Sequence, residues 1–320
     1  MANLFKRTAT ALLFASVSMA AAAAYPDHPI NLMHGFGAGG NADSVARVIA
    51  DAMGKRLGQT VVVEPRTGAG GTIASAYVAK AKPDGYTLIM LTGGHTASAA
   101  VRKEVPYDPV GSFSMVSTVS RFPFVISVKA DNPAKDLKQL LDQARAHPGT
   151  VTYTSVGVGS TQHLTGELLA AKAGVSMVHV PYRGGGAPVQ AVLSGDVNVM
   201  VDTPTVTAPQ LKSGKLRALG VTSPQPWPLL PGVPTVGSVI PGFTVMSWLG
   251  IAGPADMPKD VVDTLNRTLK DVLADQAVQK RLHAMGSEAW YGTPTEMRDM
   301  IATTTEQWKQ VVKAAKIPLQ

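Results

Sequence analysis

The sequence predicts an α/β fold of two lobes, with a hinge and a ligand cleft between them. Apolar strands alternate with amphipathic helices, a pattern typical of an open, mostly parallel sheet covered on both faces. A unit of strand, glycine turn and helix occurs twice, near residues 35 and 156. Between the two units lies a β-rich stretch, 113–129, with a break at Pro123, where we expect the chain to cross between lobes.

The first unit is a strand, a glycine turn and a helix whose apolar residues fall on one face. The predicted elements are, in order, strand 30–33, helix 43–57, strand 61–64, glycine turn 67–71, a short helix through residue 80 and strand 87–91. Within 43–57, Val45, Val48, Ile49, Ala52 and Met53 have helical spacing. We expect these five side chains to face the core.

The second unit repeats this order after the crossing. Its predicted elements are strand 151–155, glycine turn 156–160, helix 161–173, strand 177–180, glycine turn 181–188, a short helix to residue 193, and strands 197–202 and 216–222. A proline-rich connection then leads to helices near 258–274, 276–285 and 294–314. We therefore predict lobe I from residues 25–122 and 225–320, and lobe II from residues 123–224.

Residues 1–24 have the pattern of a secretory signal peptide. Lys6 and Arg7 precede a short apolar stretch, and small residues end in A-x-A at 22–24, so we expect cleavage before Tyr25. The chain has no cysteine, which excludes lipoprotein processing, disulfides and thiol chemistry. The sequence therefore predicts export to a bacterial periplasm.

The charge balance favours a small acidic ligand over a nucleic acid. Residues 1–24 carry two basic and no acidic residues, so their removal lowers the net charge from +7 to +5. Such a bias attracts anions weakly, and the basic residues are too scattered for a nucleic-acid surface. The seven histidines are dispersed without metal-ligand spacing. We expect a monomer with no cofactor, no metal and no nucleic-acid partner.

The first glycine turn shares the spacing of a dinucleotide-binding fingerprint. Gly35, Gly37 and Gly40 give G-x-G-x-x-G between a strand and a helix, and the next strand ends in Glu64. Nicotinamide cofactors are scarce in the periplasm, however. Because the chain is predicted to be exported, we interpret this glycine turn as a binding site for another anion and not as the cofactor site of a dehydrogenase.

Paired turns are the strongest indication of a binding site. GFGAGGNAD (35–43) and SVGVGSTQH (155–163) each let backbone N–H groups approach a ligand, and each opens a helix whose amino end carries partial positive charge. Ser160 and Thr161 add hydroxyl donors. Two such turns facing each other would hold a carboxylate without an arginine. Asp43 either caps its helix or receives a ligand amino group, and Asp202 ends a strand at the expected cleft edge.

Catalytic motifs do not match. Gly157-x-Gly159-Ser160 places the serine one position late for G-x-S-x-G and lacks the following glycine. His34, His95 and His163 are near predicted turns, where histidine commonly makes local hydrogen bonds. No catalytic residue is predicted.

Many segments, in order, resemble the Bug (TctC-like) receptors of tripartite tricarboxylate transporters. The segments are YPDHPINLMHGFGAGGNADSVARVIA, VVVEPRTGAGGTIASAYVAKAKPDGYTL, VPYDP, TYTSVGVGSTQHLTGELL, HVPYRGGGAPVQAVLSGDVNVMVD, GKLRALGVTS, PGVPTV and WLGIAGPADMP. The resemblance covers essentially the whole chain after residue 24. It implies a two-lobe, type II-like periplasmic-binding-protein fold that captures a small organic carboxylate and delivers it to a two-component integral membrane permease.

Matching positions imply the ligand-binding residues. They are Phe36, Ala38, Gly39, Gly40 and Asp43 in the first-lobe loop, Gly159, Ser160, Thr161 and His163 in the second-lobe loop, and Asp202 at its strand end. The chain departs from the family pattern at Ala38, where proline is usual, at His34-Gly35, and at 92–95. These departures lie beside the cleft, where His95 can add a donor for a second carboxylate or an aromatic acid.

Two other functions remain open from the residues. One is a periplasmic enzyme acting on a small carboxylate, which turnover would reveal. The other is a ligand-sensing receptor with a signalling partner in place of a permease, which neighbouring genes or a pull-down would separate from transport.

Overall fold

The computed structural model describes residues 25–320, which form two β-sheets with helices packed on them. The predicted signal peptide, 1–24, lies outside the described residues. Within 25–320, every helix is too short or too polar to cross a membrane.

Eleven strands are found among the described residues. In chain order they are β1 (Ile30–His34), β2 (Val61–Pro65), β3 (Thr87–Thr92), β4 (Phe113–Pro123), β5 (Val125–Lys129), β6 (Val151–Ser155), β7 (Met177–Pro181), β8 (Val199–Asp202), β9 (Leu216–Val221), β10 (Met246–Pro254) and β11 (Glu288–Ala289).

The same part of the chain contains ten α-helices. They are α1 (Asn41–Leu57), α2 (Thr72–Val78), α3 (Gly93–Val101), α4 (Leu137–Ala146), α5 (Thr161–Ala173), α6 (Ala187–Ser194), α7 (Pro204–Lys212), α8 (Lys259–Ala274), α9 (Gln276–Ala284) and α10 (Pro294–Ala314).

Both sheets are mixed, whereas the sequence predicted mostly parallel ones. The first sheet has the order β11-β4-β10-β3-β1-β2, with β1 parallel to β2 and β3 and the other pairs antiparallel. The second has the order β7-β6-β8-β5-β9, with β6 parallel to β7 and β8, and β5 antiparallel to both neighbours. The antiparallel pairs arise because β4, β5, β9 and β10 carry the chain between sheets.

The chain passes between the sheets at two adjacent places. β4 ends at Pro123 in the first sheet and β5 begins at Val125 in the second, leaving only Phe124 between them. The return runs from β9 to β10 through residues 222–245. The Thr222 hydroxyl accepts a hydrogen bond from Phe124 N (2.8 Å) and donates to Val245 O (2.6 Å). One side chain thus joins both crossings.

The sheets divide near the predicted lobe boundaries. Strands of the first sheet lie within 30–123 and 246–289, and those of the second within 125–221. The boundaries at 122/123 and 224/225 stay a prediction. Packing of α1 follows its predicted face: Val45, Val48, Ile49 and Met53 are buried, while Ala52 is only partly so.

Several elements differ from the sequence prediction. Helix α1 begins two residues earlier than predicted, at Asn41, and β8 begins two residues later, at Val199. Helices α3, α4 and α7 and strand β10 were not predicted. Two of these helices begin with residues of low helix propensity, Gly93-Gly94 in α3 and Pro204 in α7. Such residues are tolerated in the first turn of a helix but destabilise its interior.

Candidate functional site

The glycine turns of the two sheets lie directly against each other. Gly37 N donates a hydrogen bond to Arg183 O (3.0 Å), and Gly37 pairs with Gly184 in a short parallel bridge. On the neighbouring turn, a Cβ added to Gly70 would lie 2.7 Å from Val158 O. Contacts this close require glycine, and they describe two lobes in a closed arrangement.

Between the closed lobes lies a cavity with about 450 Å³ of empty space, which includes space open to solvent. Its lining combines residues from the glycine turns, helix starts and crossing strands of both sheets: Phe36, Gly40, Asn41, Ala42, Thr92, Phe122, Phe124, Val156, Thr161, Gln162, Gly184, Gly185, Asp202, Thr203, Val206, Ser247 and Leu249.

Three helices begin at the cavity wall. The lining includes the starts of α1 and α5 and residue Thr203, the N-cap of α7. First-turn N–H groups have no partner inside their own helix, and the amino end of a helix favours negative charge. The hydroxyls of Thr161 and Thr203 are also buried without a hydrogen-bond partner among the described residues. The wall therefore offers donors to an anion.

Asp202 is the one charged side chain among the lining residues that the structure describes. Its Oδ1 accepts hydrogen bonds from Thr203 N (2.7 Å) and, more weakly, from Gln162 Nε2 (3.5 Å). Burial raises the pKa of this carboxyl to about 6, because desolvation outweighs the hydrogen bonds from Thr203 and Gln162. A charged acid therefore sits in the cavity at some cost.

Part of the cavity wall is apolar. Phe122, near the end of β4, and Phe124, at the first crossing, meet edge to face with ring centroids 6.2 Å apart. Phe36, Val206 and Leu249 continue this surface. The cavity thus pairs helix-start donors with space suited to the hydrocarbon part of a small acid.

Four of the residues predicted from sequence line this cavity: Phe36, Gly40, Thr161 and Asp202. Ala38 and Gly39 are exposed on the same loop. Gly159 and Ser160 are buried just behind the lining, where Gly159 O accepts from Ser98 Oγ (2.9 Å) and Ser160 Oγ caps α5 by accepting from His163 N (3.2 Å). These residues shape the loops that carry the lining.

Asp43 holds the first glycine loop. Its carboxylate accepts from Gly39 N (2.9 Å) and Arg47 Nη2 (2.8 Å), and lies 3.2 Å from His34 Nε2. Burial tends to raise the pKa of Asp43, but the Arg47 and Gly39 hydrogen bonds outweigh it and hold the pKa below its usual value. Of the two roles left open, these contacts support a structural one.

His163 and His95 each serve a local hydrogen-bond network. His163 Nδ1 accepts from Gly159 N (3.3 Å), and its ring stacks on His179 with centroids 4.1 Å apart. His95 Nε2 lies 2.8 Å from Pro109 O, and the ring lines a separate cavity of about 240 Å³ behind Phe36. Burial lowers the pKa of both histidines to about 4. A ligand contact by His95 stays a prediction.

Other lining residues were not predicted from sequence. Gln162 and Thr203 directly follow predicted residues, so the helix-start argument could have included them. Phe122 and Phe124 carry no local signal beyond the Pro123 break, because they reach the cavity only through the crossing between sheets.

Two mixed α/β lobes closed on a cavity between them define a two-lobe solute-binding protein. The family model for the tripartite tricarboxylate transporter family receptor, TctC, matches residues 45–317. The chain therefore belongs to the TctC family, and the resemblance and fold class predicted from sequence are confirmed.

Curated relatives match along most of their length. The chain is 37% identical over 291 residues to the UPF0065 protein in the tcbD-tcbE intergenic region of a Pseudomonas species, covering 90% of this chain and 87% of that protein. It is 32% identical over 308 residues to protein BugT of Bordetella pertussis, with coverage of 95% and 94%.

Solved structures of similar proteins superpose closely. The periplasmic binding protein BugD matches with a TM-score of 0.88 and 35% identity over 92% of this chain and 100% of its own. Rpa4515 of R. palustris, solved with adipate, gives 0.89 and 32% over 92% and 99%. MatC of Rhodopseudomonas palustris, solved with bound malate, gives 0.86 and 31% over 90% and 100%.

Proposed function

We propose that this protein is an exported receptor that captures a small organic carboxylate between its lobes and delivers it to a two-component membrane permease of the tripartite tricarboxylate type. The observation that carries the proposal is a closed cavity whose donors are helix starts and threonine hydroxyls, with no cationic side chain among the described lining residues. Relatives of similar fold were solved with adipate and with malate, both carboxylates. Residues 1–24 would direct the chain to the periplasm and be removed.

Titration calorimetry with a panel of mono-, di- and hydroxycarboxylates tests the binding function. We expect at least one acid to bind with one-to-one stoichiometry, and small-angle scattering to show a more compact molecule with that acid present. A failure of every acid to bind would overturn the proposal.

Thr161→Val removes one cavity hydroxyl while keeping the shape of the side chain. Because hydrogen bonds to a charged group contribute about 1.5–3 kcal/mol, we expect binding to weaken roughly tenfold or more. Thr303→Val, on the exposed face of α10, is the matched control and should bind like the parent protein. Equal affinity of both variants would contradict a ligand contact at Thr161.

Delivery and the absence of catalysis need their own measurements. We expect the bound acid to be recovered chemically unchanged after long incubation, as judged by mass spectrometry. In a strain that lacks this receptor, uptake of the bound acid should fall if the partner is a permease. Normal uptake together with capture of a signalling protein would instead support the sensing role.

A further inference from the structure

A second cavity lies behind Phe36, and the function proposed above does not use it. This rear cavity has about 240 Å³ of empty space, in which there is room for about one water-sized group beside the side chains. Phe36 and Thr92 line both the rear cavity and the cavity between the lobes, which we call the front cavity. The two cavities therefore share a wall.

The ring of Phe36 is the part of the shared wall that can move. Cβ atoms added to Gly71 and Gly94 would lie 3.2 and 3.7 Å from Phe36 Cζ, so the tip of the ring lies over two glycine backbones. Thr92 ends β3 and its position is fixed by the sheet, whereas a phenylalanine side chain turns about single bonds between staggered rotamers. A change of the Phe36 rotamer would join the two cavities.

The rear cavity contains a buried hydroxyl without a hydrogen-bond partner. Tyr107 is 7% exposed, and its Oη makes no hydrogen bond to the residues that the structure describes. Burial raises the pKa of Tyr107 to about 12, although the nearby Ser75 hydroxyl and Arg102 act in the opposite direction. The hydroxyl therefore stays protonated and can donate. A ligand group that accepts this hydrogen bond would recover the cost of the unpaired donor.

The imidazole of His95 adds an acceptor to the same lining. Its ring stacks on Tyr107 with centroids 5.2 Å apart. His95 Nε2 lies 2.8 Å from Pro109 O, which can only accept, so Nε2 carries the proton and Nδ1 is the acceptor. Ser75 Oγ lies 3.4 Å from Nδ1, too far for a strong hydrogen bond. A group that both accepts and donates, such as a hydroxyl, therefore matches Tyr107 and His95 together.

The rear cavity suits a neutral group better than a charged one. Its described lining includes no carboxylate, lysine or arginine, and its remaining side chains are mainly apolar, among them Ile89, Met90 and Leu91. A charged group would lose its hydration there without meeting an opposite charge, whereas a neutral hydroxyl needs only hydrogen bonds. The carboxylate of a ligand therefore belongs at the helix starts of the front cavity.

We propose that the rear cavity is a second ligand subsite, which binds the hydroxyl of a hydroxycarboxylate through Tyr107 and His95 while the carboxylate lies in the front cavity. The inference rests on the proposed carboxylate-binding function and names a ligand class for it. Phe36 moves aside when the hydroxyl end enters. A dicarboxylate can bind in the front cavity alone, so the rear subsite does not exclude that class.

Tyr107→Phe tests the subsite, because it removes the hydroxyl and keeps the ring that stacks on His95. Calorimetry compares acids that differ by one remote hydroxyl: butyrate with 4-hydroxybutyrate, hexanoate with 6-hydroxyhexanoate, and phenylacetate with 4-hydroxyphenylacetate. In at least one pair we expect the parent protein to bind the hydroxy acid roughly three- to tenfold more tightly, as a neutral hydrogen bond implies. Tyr107→Phe should lose most of this preference.

Tyr77→Phe, which removes an exposed hydroxyl from α2 of the same lobe, is the matched control and should keep the preference. A parent protein that binds no hydroxy acid more tightly than its unsubstituted partner overturns the inference but leaves the proposed function intact. A preference that survives in Tyr107→Phe overturns the role of Tyr107. Binding of no acid in any pair overturns both proposals.

A crystal structure of the parent protein with the preferred hydroxy acid is a second measurement, which decides the question even if Tyr107→Phe does not fold. We expect the ligand hydroxyl within hydrogen-bond distance of Tyr107 Oη, and the Phe36 ring in a different rotamer. A ligand hydroxyl that stays in the front cavity, with Phe36 in its present place, overturns the inference.

Discussion

Asp202 shows how a single buried residue in the cavity wall can oppose stability. The carboxyl is buried beside the start of α7, and burial raises its pKa to about 6. Between the ordinary value near 4 and this raised value, the folded state binds more protons than the unfolded state, so stability falls as pH rises through this interval. Above pH 6 the full cost of the buried charge remains.

Asp202→Asn should therefore stabilise the ligand-free protein at high pH. We expect its free energy of unfolding at pH 8 to exceed that of the parent by about 1–3 kcal/mol, with a smaller difference at pH 4, where Asp202 is largely protonated. Urea unfolding at both pH values measures this. An equal difference at the two pH values would show that the charge of Asp202 is not the cause.

Individual site residues could be predicted where a local sequence pattern marks them, and not where tertiary contacts place them. Thr161 and Asp202 follow from elements readable in the sequence, a helix start and a strand end. Asp43 was placed correctly on its helix, but its partners His34 and Arg47 decide its role, and those contacts form only after folding. Phe124 lines the cavity because two sheets meet beside it, which no local pattern indicates.

At the scale of elements, the glycine turns act as contact surfaces as well as turns. Gly185 has φ +67°, and an added Cβ would lie 2.6 Å from Ala38 O on the opposite lobe. Its neighbour Gly186 has no atom within 4 Å of such a Cβ. Close approach of the two lobes therefore requires glycine at Gly185, whereas Gly186 belongs to the same glycine run without any such requirement.

Gly185→Ala should hinder closure and weaken ligand binding about tenfold or more, since about 1.4 kcal/mol of lost closure energy suffices for that factor. Gly186→Ala should bind normally. Gly195→Ala, which also replaces a glycine of positive φ (+90°) but meets no neighbour, controls for backbone strain alone. Calorimetry with any acid that binds the parent protein checks all three. Similar weakening by Gly195→Ala would attribute the effect to strain.

Elements were predictable where periodicity was strong. Helix α5 and strand β6 have the predicted bounds because an apolar strand, a glycine turn and a helix follow each other without interruption. Helix α7 was missed because it contains Pro204 and Pro209, and Pro209 lies inside the helix. Its formation depends on packing against β5 and β9, a tertiary effect that outweighs local propensity.

At the scale of the whole molecule, Arg102 links the lobes at a distance from the cavity. It follows α3, and its Nη2 donates both to Ala69 O (3.1 Å) and to Val158 O (2.9 Å) on the opposite glycine turn. Ser98, one turn earlier, donates to Gly159 O. The bonds to Val158 O and Gly159 O exist only when the lobes are together, so these two favour the closed arrangement even without a ligand.

Arg102→Gln should shift the ligand-free molecule toward an open form. We expect a larger radius of gyration by small-angle scattering and binding weakened roughly three- to tenfold, because less of the population is competent to hold a ligand. Lys103→Gln, an exposed neighbour, is the control. An unchanged scattering profile in Arg102→Gln would show that this residue does not set the balance between open and closed forms.

The single residue between β4 and β5 has a mechanical consequence. Phe124 lines the cavity. Its backbone N–H donates a hydrogen bond to the Thr222 hydroxyl, which in turn donates to Val245 O on the returning segment. Opening or closing of the two lobes must change the backbone of this short connection, and its residue Phe124 also forms part of the cavity wall. Because the ring and this hydrogen bond belong to the same residue, we expect the size of a bound ligand to influence directly how far the lobes close.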